Sequence, residues 1–488
     1  MSHQEVPNAL RTLNLIDGQW REASGGAWFD KYEPANGRVM AHIAAGTAAD
    51  VDAAVAAARR QFDGGEWSTM PGAERGRLMH RLADLLEANA DEFVTLLARE
   101  GGRVVMEPRM MDIPMAIDTL RYFAGWADKL EGRQIPTAGF MGQPTFNYTV
   151  REAIGVAALI VPWNNPMLIG VWKLAPALAA GCTVVIKPSE DAPIGLTRLA
   201  GLATEAGFPA GVINVVNGQA EVGQALVSHP GVNKISFTGS TPVGRAIAAV
   251  AGPQFKHLTL ELGGKAPQII FEDALLERAI GGVAMGLFAN QGQTCAAGTR
   301  VLVHRSRYEE VLHALAGAAR SLNVGDPLDG HTQMGALINA RHADRVKGMI
   351  HAAREAGARM FAGDEAVPAE GYFVRPTVFG HVSPDAVIAR EEIFGPVGVV
   401  MPFDTVDEAV ALANDTQYGL SATLWTNSVG QAHSVAARLR VGAVAINGWS
   451  PLDARLPWGG GKDSGMGRDL SRVALDAYLE EKVVSLVM

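Results

Sequence analysis

The chain has 488 residues, 48% of them hydrophobic and 19% charged, with a formal net charge of −9. That length exceeds one ordinary core and predicts two or three domains, and the composition argues against long-range disorder. An acidic balance without a basic run argues against nucleic acid and anionic membranes as partners, and two cysteines, Cys182 and Cys295, cannot build a disulfide framework.

The first 15 residues lack a basic segment followed by an apolar run, so they do not read as a signal peptide. Apolar stretches such as 153–163 fall short of the roughly 18–20 residues of a membrane span. A cytoplasmic protein is expected. DVDAAVAAARRQF (50–62) sets Val51, Val55, Ala58 and Phe62 at helical spacing, and 76–100 continues that pattern. The run 146–161 is the first strand-like one. KLAPALAAG then reads as a helix ended by Gly181, and TVVIK (183–187) as a buried strand. LTRLAGLATEAG, VINVV, EVGQALVSH and KISFT continue as helix, strand, helix and strand. This alternation predicts a doubly wound α/β domain with a parallel sheet. A second α/β pattern follows Glu261, with strands PQIIF, RVLVHR and VGVVMPF and helices over 274–292, 308–322, 340–357, 407–415 and 431–439. The β-branched tail EKVVSLVM (481–488) suits pairing with another sheet edge, of its own or of a neighbouring subunit.

Several chemistries fail on motif grounds. The histidines form no H-E-x-x-H, no Cys/His group has zinc spacing, and no G-x-S-x-G is present, so no metal is expected. GSTPVGR (239–245) has phosphate-loop glycine spacing, but Arg245-Ala246 stands where a Walker motif needs Lys and then Ser or Thr. Between strand KISFT and helix VGRAIAAVA, the residues TGST either form an ordinary turn or offer helix-start N–H groups to a pyrophosphate. KPSE (187–190) ends a strand with a carboxylate fit for ribose hydroxyls, or is a solvated charge pair. Cys182, between apolar runs, reads as structural. Cys295, in NQGQTCAAG (290–298), lies in a polar turn leading toward a helix, where a thiol would gain thiolate character. No histidine lies nearby in sequence to serve as its base. Glu261, between Leu260 and Leu262, is the candidate, its pKa raised by desolvation, or else a structural glutamate. In VPWNNPM (161–167) two prolines fix the backbone around Asn164 and Asn165. A rigid amide suits an oxyanion donor, and Asn with Pro also suits a simple turn.

The segments PWNNP, KPSE, GSTPVG, LELGGK, NQGQTC, EEIFGPV (391–397), NDTQYGLSA (414–422) and PWGGGKDSGMGR (457–468) occur in one order along the chain. In that order the sequence resembles the aldehyde dehydrogenase superfamily, NAD(P)-dependent enzymes that oxidise aldehydes to acids. The resemblance runs from LIDGQW to the tail. It implies a Rossmann-like NAD-binding domain over 1–130 and 150–260 and an α/β catalytic domain over 261–450. It also implies a small oligomerisation hairpin and tail at 131–149 and 475–488, in a homodimer or homotetramer. Cys295 would be the nucleophile, Asn164 the oxyanion donor with the Cys295 N–H, and Glu261 the base that hydrolyses the thioester. Ile160, Trp163, Lys187, Glu190, Gly239, Ser240, Gly244, Glu392 and Phe394 would meet the cofactor. Among them Lys187 and Glu190 would take the adenosine ribose, Glu392 the nicotinamide ribose, and Phe394 a place near the nicotinamide. Glu190 would repel a 2′-phosphate, which favours NAD over NADP. The small-molecule aldehyde would enter past Asn165, Trp172, Trp449, Leu452, Arg455 and Trp458. Aromatic walls suit an aromatic aldehyde, whereas Asn165 and Arg455 suit a hydroxylated or carboxylated one. An arginine in the position of Arg455 is more often a surface or structural residue. A CoA-acylating dehydrogenase typically lacks the glutamate base, and a non-redox cysteine acyltransferase leaves KPSE and GSTPVG without a task.

Overall fold

The computed structural model describes residues 9–449 and 452–488. Residues 1–8, on which part of the leader reading rests, lie outside the described residues, as do 450 and 451. The fold is mixed α/β with two large sheets. In the first, Val156–Val161 is buried at every position because helices cover both faces, which explains its continuous apolar run. From this strand the chain steps to one side through Thr183–Pro188 and Ile213–Val215, all parallel. It then returns to the other side with Lys234–Thr238 and His257–Glu261, again parallel. This reversal of strand order leaves a crevice beyond the carboxyl ends of Val156–Val161 and Lys234–Thr238. Pro162–Asn165 and Gly239–Ser240 lie at those ends. A late strand, Gly465–Met466, pairs antiparallel with the end of His257–Glu261.

The second sheet has seven strands, in the order Arg359–Ala362, Thr377–Gly380, Val397–Phe403, Arg300–His304, Pro267–Ile270, Ser421–Trp425 and Ala443–Ile446. All are parallel except the first, which pairs antiparallel with its neighbour. The α/β fold class expected from the alternation is the one observed. Among the described residues, no helix is long and apolar enough to cross a membrane.

The structure redraws three boundaries. The run 146–161 is two strands, Thr145–Ala153 and Val156–Val161, broken at Gly155 with φ of 127°. The first half pairs over nine residues with the tail strand Leu479–Val487, and its mixed exposure reflects a face left open to solvent. The second half belongs to the buried sheet. The segment 76–100 is two helices, Gly72–Ala88 and Ala90–Gly101. They divide at Asn89, whose Nδ2 donates to the Leu85 carbonyl at 2.7 Å. Finally, the helix expected over 274–292 stops at Phe288. Asn290 and Gln291 adopt φ of 50° and 55° and turn the chain sharply.

Candidate active site

That sharp turn presents Cys295. Polar bonds, not helical ones, hold it. The Asn290 N–H donates to Glu107 Oε1 at 2.7 Å, and Asn290 Nδ2 donates to the Asn164 carbonyl at 2.9 Å. Gln293 Oε1 accepts from the Ile338 N–H at 3.0 Å. After Cys295 the chain runs irregularly into the strand Arg300–His304, so the expected helix start is not there. Without a helix amino terminus the thiol gains no stabilised negative charge. Burial pushes its pKa up to about 12, and the charges of Glu392 and Glu261 act in the same direction. The expectation of a depressed thiol pKa is therefore corrected.

Two cavities meet at this cysteine. A cleft of about 490 Å³ is lined by Trp163, Asn164, Gly239, Ser240, Glu392 and Phe394. An apolar cavity of about 280 Å³ is lined by Asn165, Trp172, Glu261, Trp449, Leu452 and Trp458. Cys295 and Thr238 line both.

Asn164 is buried, and its Nδ2 donates to the Gln293 carbonyl at 2.9 Å. A carboxamide nitrogen carries two hydrogens, so this bond orients the group and leaves one donor. The helix Pro166–Ala180 starts two residues later, and its amino end adds positive partial charge beside that donor. Glu261 ends its strand with both carboxylate oxygens buried and without hydrogen-bond partners among the described residues. Burial raises its pKa well above the usual carboxylate range. The Asp469 charge adds to this, while Lys173 and Arg468 oppose it. Asp469 itself is tied to the fully buried Lys173 at 2.8 Å.

In the cleft, Ser240 precedes the helix Thr241–Ala251 and makes no side-chain cap, so its first N–H groups are available to an anion. Trp163 stands edge-on to Phe394 at 5.2 Å and 88°. His342 joins them, with Nε2 2.7 Å from the Phe394 carbonyl, and burial lowers its pKa to about 4, leaving it neutral. Glu392 accepts the Gly264 N–H at 2.9 Å, and burial raises its pKa to about 7.

The sequence model of the aldehyde dehydrogenase family matches residues 20–484. The chain belongs to the aldehyde dehydrogenase family. It is 46% identical over 470 residues to DhaS of Bacillus subtilis (strain 168), covering 96% of this chain and 94% of that protein. Human retinal dehydrogenase 2 is 41% identical over 478 residues, covering 97% and 92% of the two chains. Among solved structures, the NAD+ complex of an aldehyde dehydrogenase from Bacillus cereus superimposes with a TM-score of 0.96 at 43% identity, over 98% of this chain and 97% of that one. PnpE in complex with nicotinamide adenine dinucleotide gives 0.94 at 42% identity, over 98% and 97%.

Against this family background, the structure sorts the residues expected from sequence. Cys295, Glu261 and Asn164 converge, as do Trp163, Gly239, Ser240, Glu392 and Phe394 around the cleft. Lys187 lies at the end of its strand with Nζ 3.4 Å from Glu190 Oε2, outside the cleft's lining. Ile160 is buried within its strand. Gly244 packs inside its helix, where a Cβ would come within 2.5 Å of Leu262, and it lies outside the cleft's lining. Arg455 is a correction. It forms a two-point pair with Asp453 at 2.7 and 2.6 Å, is 74% exposed, and does not line the apolar cavity.

Sequence reasoning missed residues on both sides of Cys295. In the cleft these are Asp191, Asn339, Arg341, His342 and Arg345. His342 and Arg345 share a helix face at spacing three, a signal readable only once the helix is placed. On the cavity side, Leu168 and Ile169 complete the helical series Asn165, Leu168, Ile169, Trp172. Met106, Met110 and Met285 line the cavity while partly exposed. Single methionines carry no distinguishing sequence signal, because the same residue fills ordinary cores.

Proposed function

We propose that this protein oxidises an uncharged aldehyde to its carboxylic acid with NAD, through covalent intermediates on Cys295. One observation carries the proposal: Cys295 lies where a polar cleft and an apolar cavity meet. A sulfur there can touch an aldehyde on one side while a nicotinamide waits on the other.

The cleft fits the dinucleotide. Within the cleft the helix start at 240–241 would hold the pyrophosphate, Glu392 the nicotinamide ribose, and Phe394 with Trp163 the nicotinamide end, while Glu190 and Lys187, just beyond the cleft's lining, would take the adenosine ribose. The Glu190 carboxylate would repel the 2′-phosphate of NADP. The NAD complexes of two close structural relatives support this choice.

The Cys295 thiol, held protonated by burial, gives up its proton to solvent water as its sulfur attacks the carbonyl carbon. The resulting oxyanion takes hydrogen bonds from the free N–H of the Asn164 amide and from the Cys295 backbone. One such donor is worth about 3–4 kcal/mol in the transition state. NAD, when bound, supplies the hydride acceptor that leaves a thioester on Cys295. Glu261 then takes a proton from water as its oxygen attacks the thioester carbon. The carbon–sulfur bond breaks, the sulfur regains a proton, and the acid departs. A desolvated carboxylate is a stronger base than an exposed one, which suits Glu261 to this step.

The cavity wall narrows the substrate. It is mostly apolar, yet Asn165 Oδ1, Trp172 Nε1 and Trp449 Nε1 are buried without partners among the described residues. With Arg455 outside and Arg103 paired with Asp112, no unpaired cation among the described residues lines the cavity to meet a substrate carboxylate. An aromatic or medium-length aldehyde bearing a hydroxyl or similar neutral group satisfies those atoms.

The two sheets would form the cofactor and catalytic domains. The ribbon of Thr145–Ala153 and Leu479–Val487 exposes Phe146, Tyr148, Val483 and Leu486, which supports self-association as a homodimer or homotetramer.

The test is a panel of neutral and carboxylated aldehydes with NAD or NADP, with and without CoA, followed by nicotinamide absorbance. Neutral aldehydes with NAD should give the highest kcat/KM, without any need for CoA. Absence of reduction with every aldehyde overturns the proposal, and a strict CoA requirement replaces hydrolysis by acyl transfer to a thiol.

A further inference from the structure

Asp191 follows Glu190 on the loop after Thr183–Pro188, in the first sheet's half of the molecule. Asn339 precedes the helix Ala340–Glu355, which packs with the second sheet. Both line the cleft. Across 148 residues of chain, Asn339 Nδ2 donates to Asp191 Oδ2 at 3.0 Å. Burial raises the Asp191 pKa, and the bond from Asn339 works against that rise by favouring the carboxylate.

Each side of this bond is stiff. Asn339 Oδ1 accepts the His342 N–H at 2.8 Å, so both ends of the amide are engaged and its orientation is set. Behind Asp191 lies the buried Lys31, whose Nζ donates to the Tyr32 carbonyl at 2.7 Å and whose charge faces Asp191 and Glu100. Glu100 accepts the N–H groups of Ile194 and Gly195 at 2.5 and 3.2 Å. That fixes the helix start only three residues past Asp191. On the other side, the helix beginning after Asn339 reaches the nicotinamide end of the cleft. His342 bonds the Phe394 carbonyl at 2.7 Å, and Arg345 bonds the carbonyls of Ile393 and Glu392 at 2.7 and 2.8 Å.

We infer that Asp191 and Asn339 form a clasp across the cofactor cleft that controls how tightly NAD is held and how fast NADH leaves. The inference rests on reading this cleft as the NAD site. One bond ties the loop of Glu190 and Asp191 to the helix whose His342 and Arg345 hold the segment of Glu392 and Phe394. Opening the cleft to release a dinucleotide strains that bond. Closing it in advance lowers the ordering cost of binding. Asp191 and Asn339 act through the loops they hold, as positioning residues.

The test is a double-mutant cycle on the full-length protein. NAD affinity is read by tryptophan fluorescence and NADH release by stopped flow for Asp191→Ala, Asn339→Ser and the pair. Asn339→Ser keeps a helix-capping oxygen but is too short to span the cleft. Each single change should weaken NAD binding and speed NADH release by about tenfold. The double variant should be no worse than either single one, because both remove the same bond. Asp191→Asn keeps an acceptor oxygen and should recover most of the affinity. Additive effects, or unchanged NADH release in folded single variants, overturn the clasp. A wild-type protein that binds no NAD overturns the cleft reading together with the clasp, whereas wild-type binding with additive variants overturns the clasp alone.

Discussion

Asn164 and Gln293 are joined by a 2.9 Å hydrogen bond from the side-chain Nδ2 to the main-chain carbonyl. The bond links the carboxyl end of the first sheet's central strand to the loop that carries Cys295. It leaves one amide hydrogen unengaged in the cleft that Cys295 also lines. Asn164→Ala removes that donor and the tether at once. The expected loss in kcat is about 100- to 1,000-fold, as for other oxyanion donors. Single-turnover NADH formation measures it directly. A rate within threefold of wild type excludes the oxyanion role.

The Cys295 thiol is held near 12 by burial and by the charges of Glu392 and Glu261. A thiol with so high a pKa gains thiolate tenfold per pH unit throughout the neutral range. Inactivation by iodoacetamide without cofactor should therefore keep rising past about pH 8.5, where an ordinary thiol levels off. Glu261→Gln deletes one of the opposing charges and should speed the inactivation at fixed pH. A plateau near pH 7 would show that the thiol is already ionised.

The same Glu261→Gln change should separate the two halves of the reaction. The first turnover of NADH should persist, and steady-state turnover should fall by about 100-fold or more, because the base acts on the thioester. Quench-flow with acid trapping should find acyl-enzyme accumulating. Unchanged steady-state turnover removes Glu261 from hydrolysis.

Glu392 titrates near 7 because burial opposes its charge more than the Gly264 N–H supports it. Above about 7 it is a carboxylate, which under the proposed function would accept from both ribose hydroxyls. Below that pH it is protonated and loses acceptor capacity. NAD affinity should accordingly weaken as pH falls through this window, measured by titration calorimetry. Glu392→Gln should bind more weakly and lose the pH dependence. A wild-type affinity flat from about pH 6 to about pH 8 places Glu392 away from the ribose.

Lys173 and Asp469 form a buried ion pair at 2.8 Å, with Ser236 Oγ 3.2 Å from the same ammonium. Lys173→Met leaves the Asp469 charge buried and unpaired. A destabilisation of about 3–5 kcal/mol is expected by chemical denaturation. A shift below about 1 kcal/mol would mean that water compensates Asp469.

Much of this site was legible in the sequence because its key residues sit in short segments with special backbone demands. Asn164 lies between prolines, Glu261 precedes two glycines, and Cys295 follows a turn that starts with left-handed residues. Arg455 shows the limit of such reading. Its neighbourhood among tryptophans suggested a cavity residue, yet Asp453, two positions away, captured it at the surface. The strands Thr377–Gly380 and Ser421–Trp425 escaped notice because short segments buried on both faces show no alternation.

By itself the sequence determined the family and the strand and helix alternation, and it singled out Cys295, Asn164 and Glu261 as the candidates for nucleophile, amide donor and base. These are matters of local backbone and ordered motifs. Only the tertiary structure decided that the Cys295 thiol is held protonated, that Arg455 faces solvent, and that Asp191 meets Asn339 across the cleft. Desolvation and pairing are sums over neighbours that the fold brings from distant parts of the chain, so no local window of residues contains them.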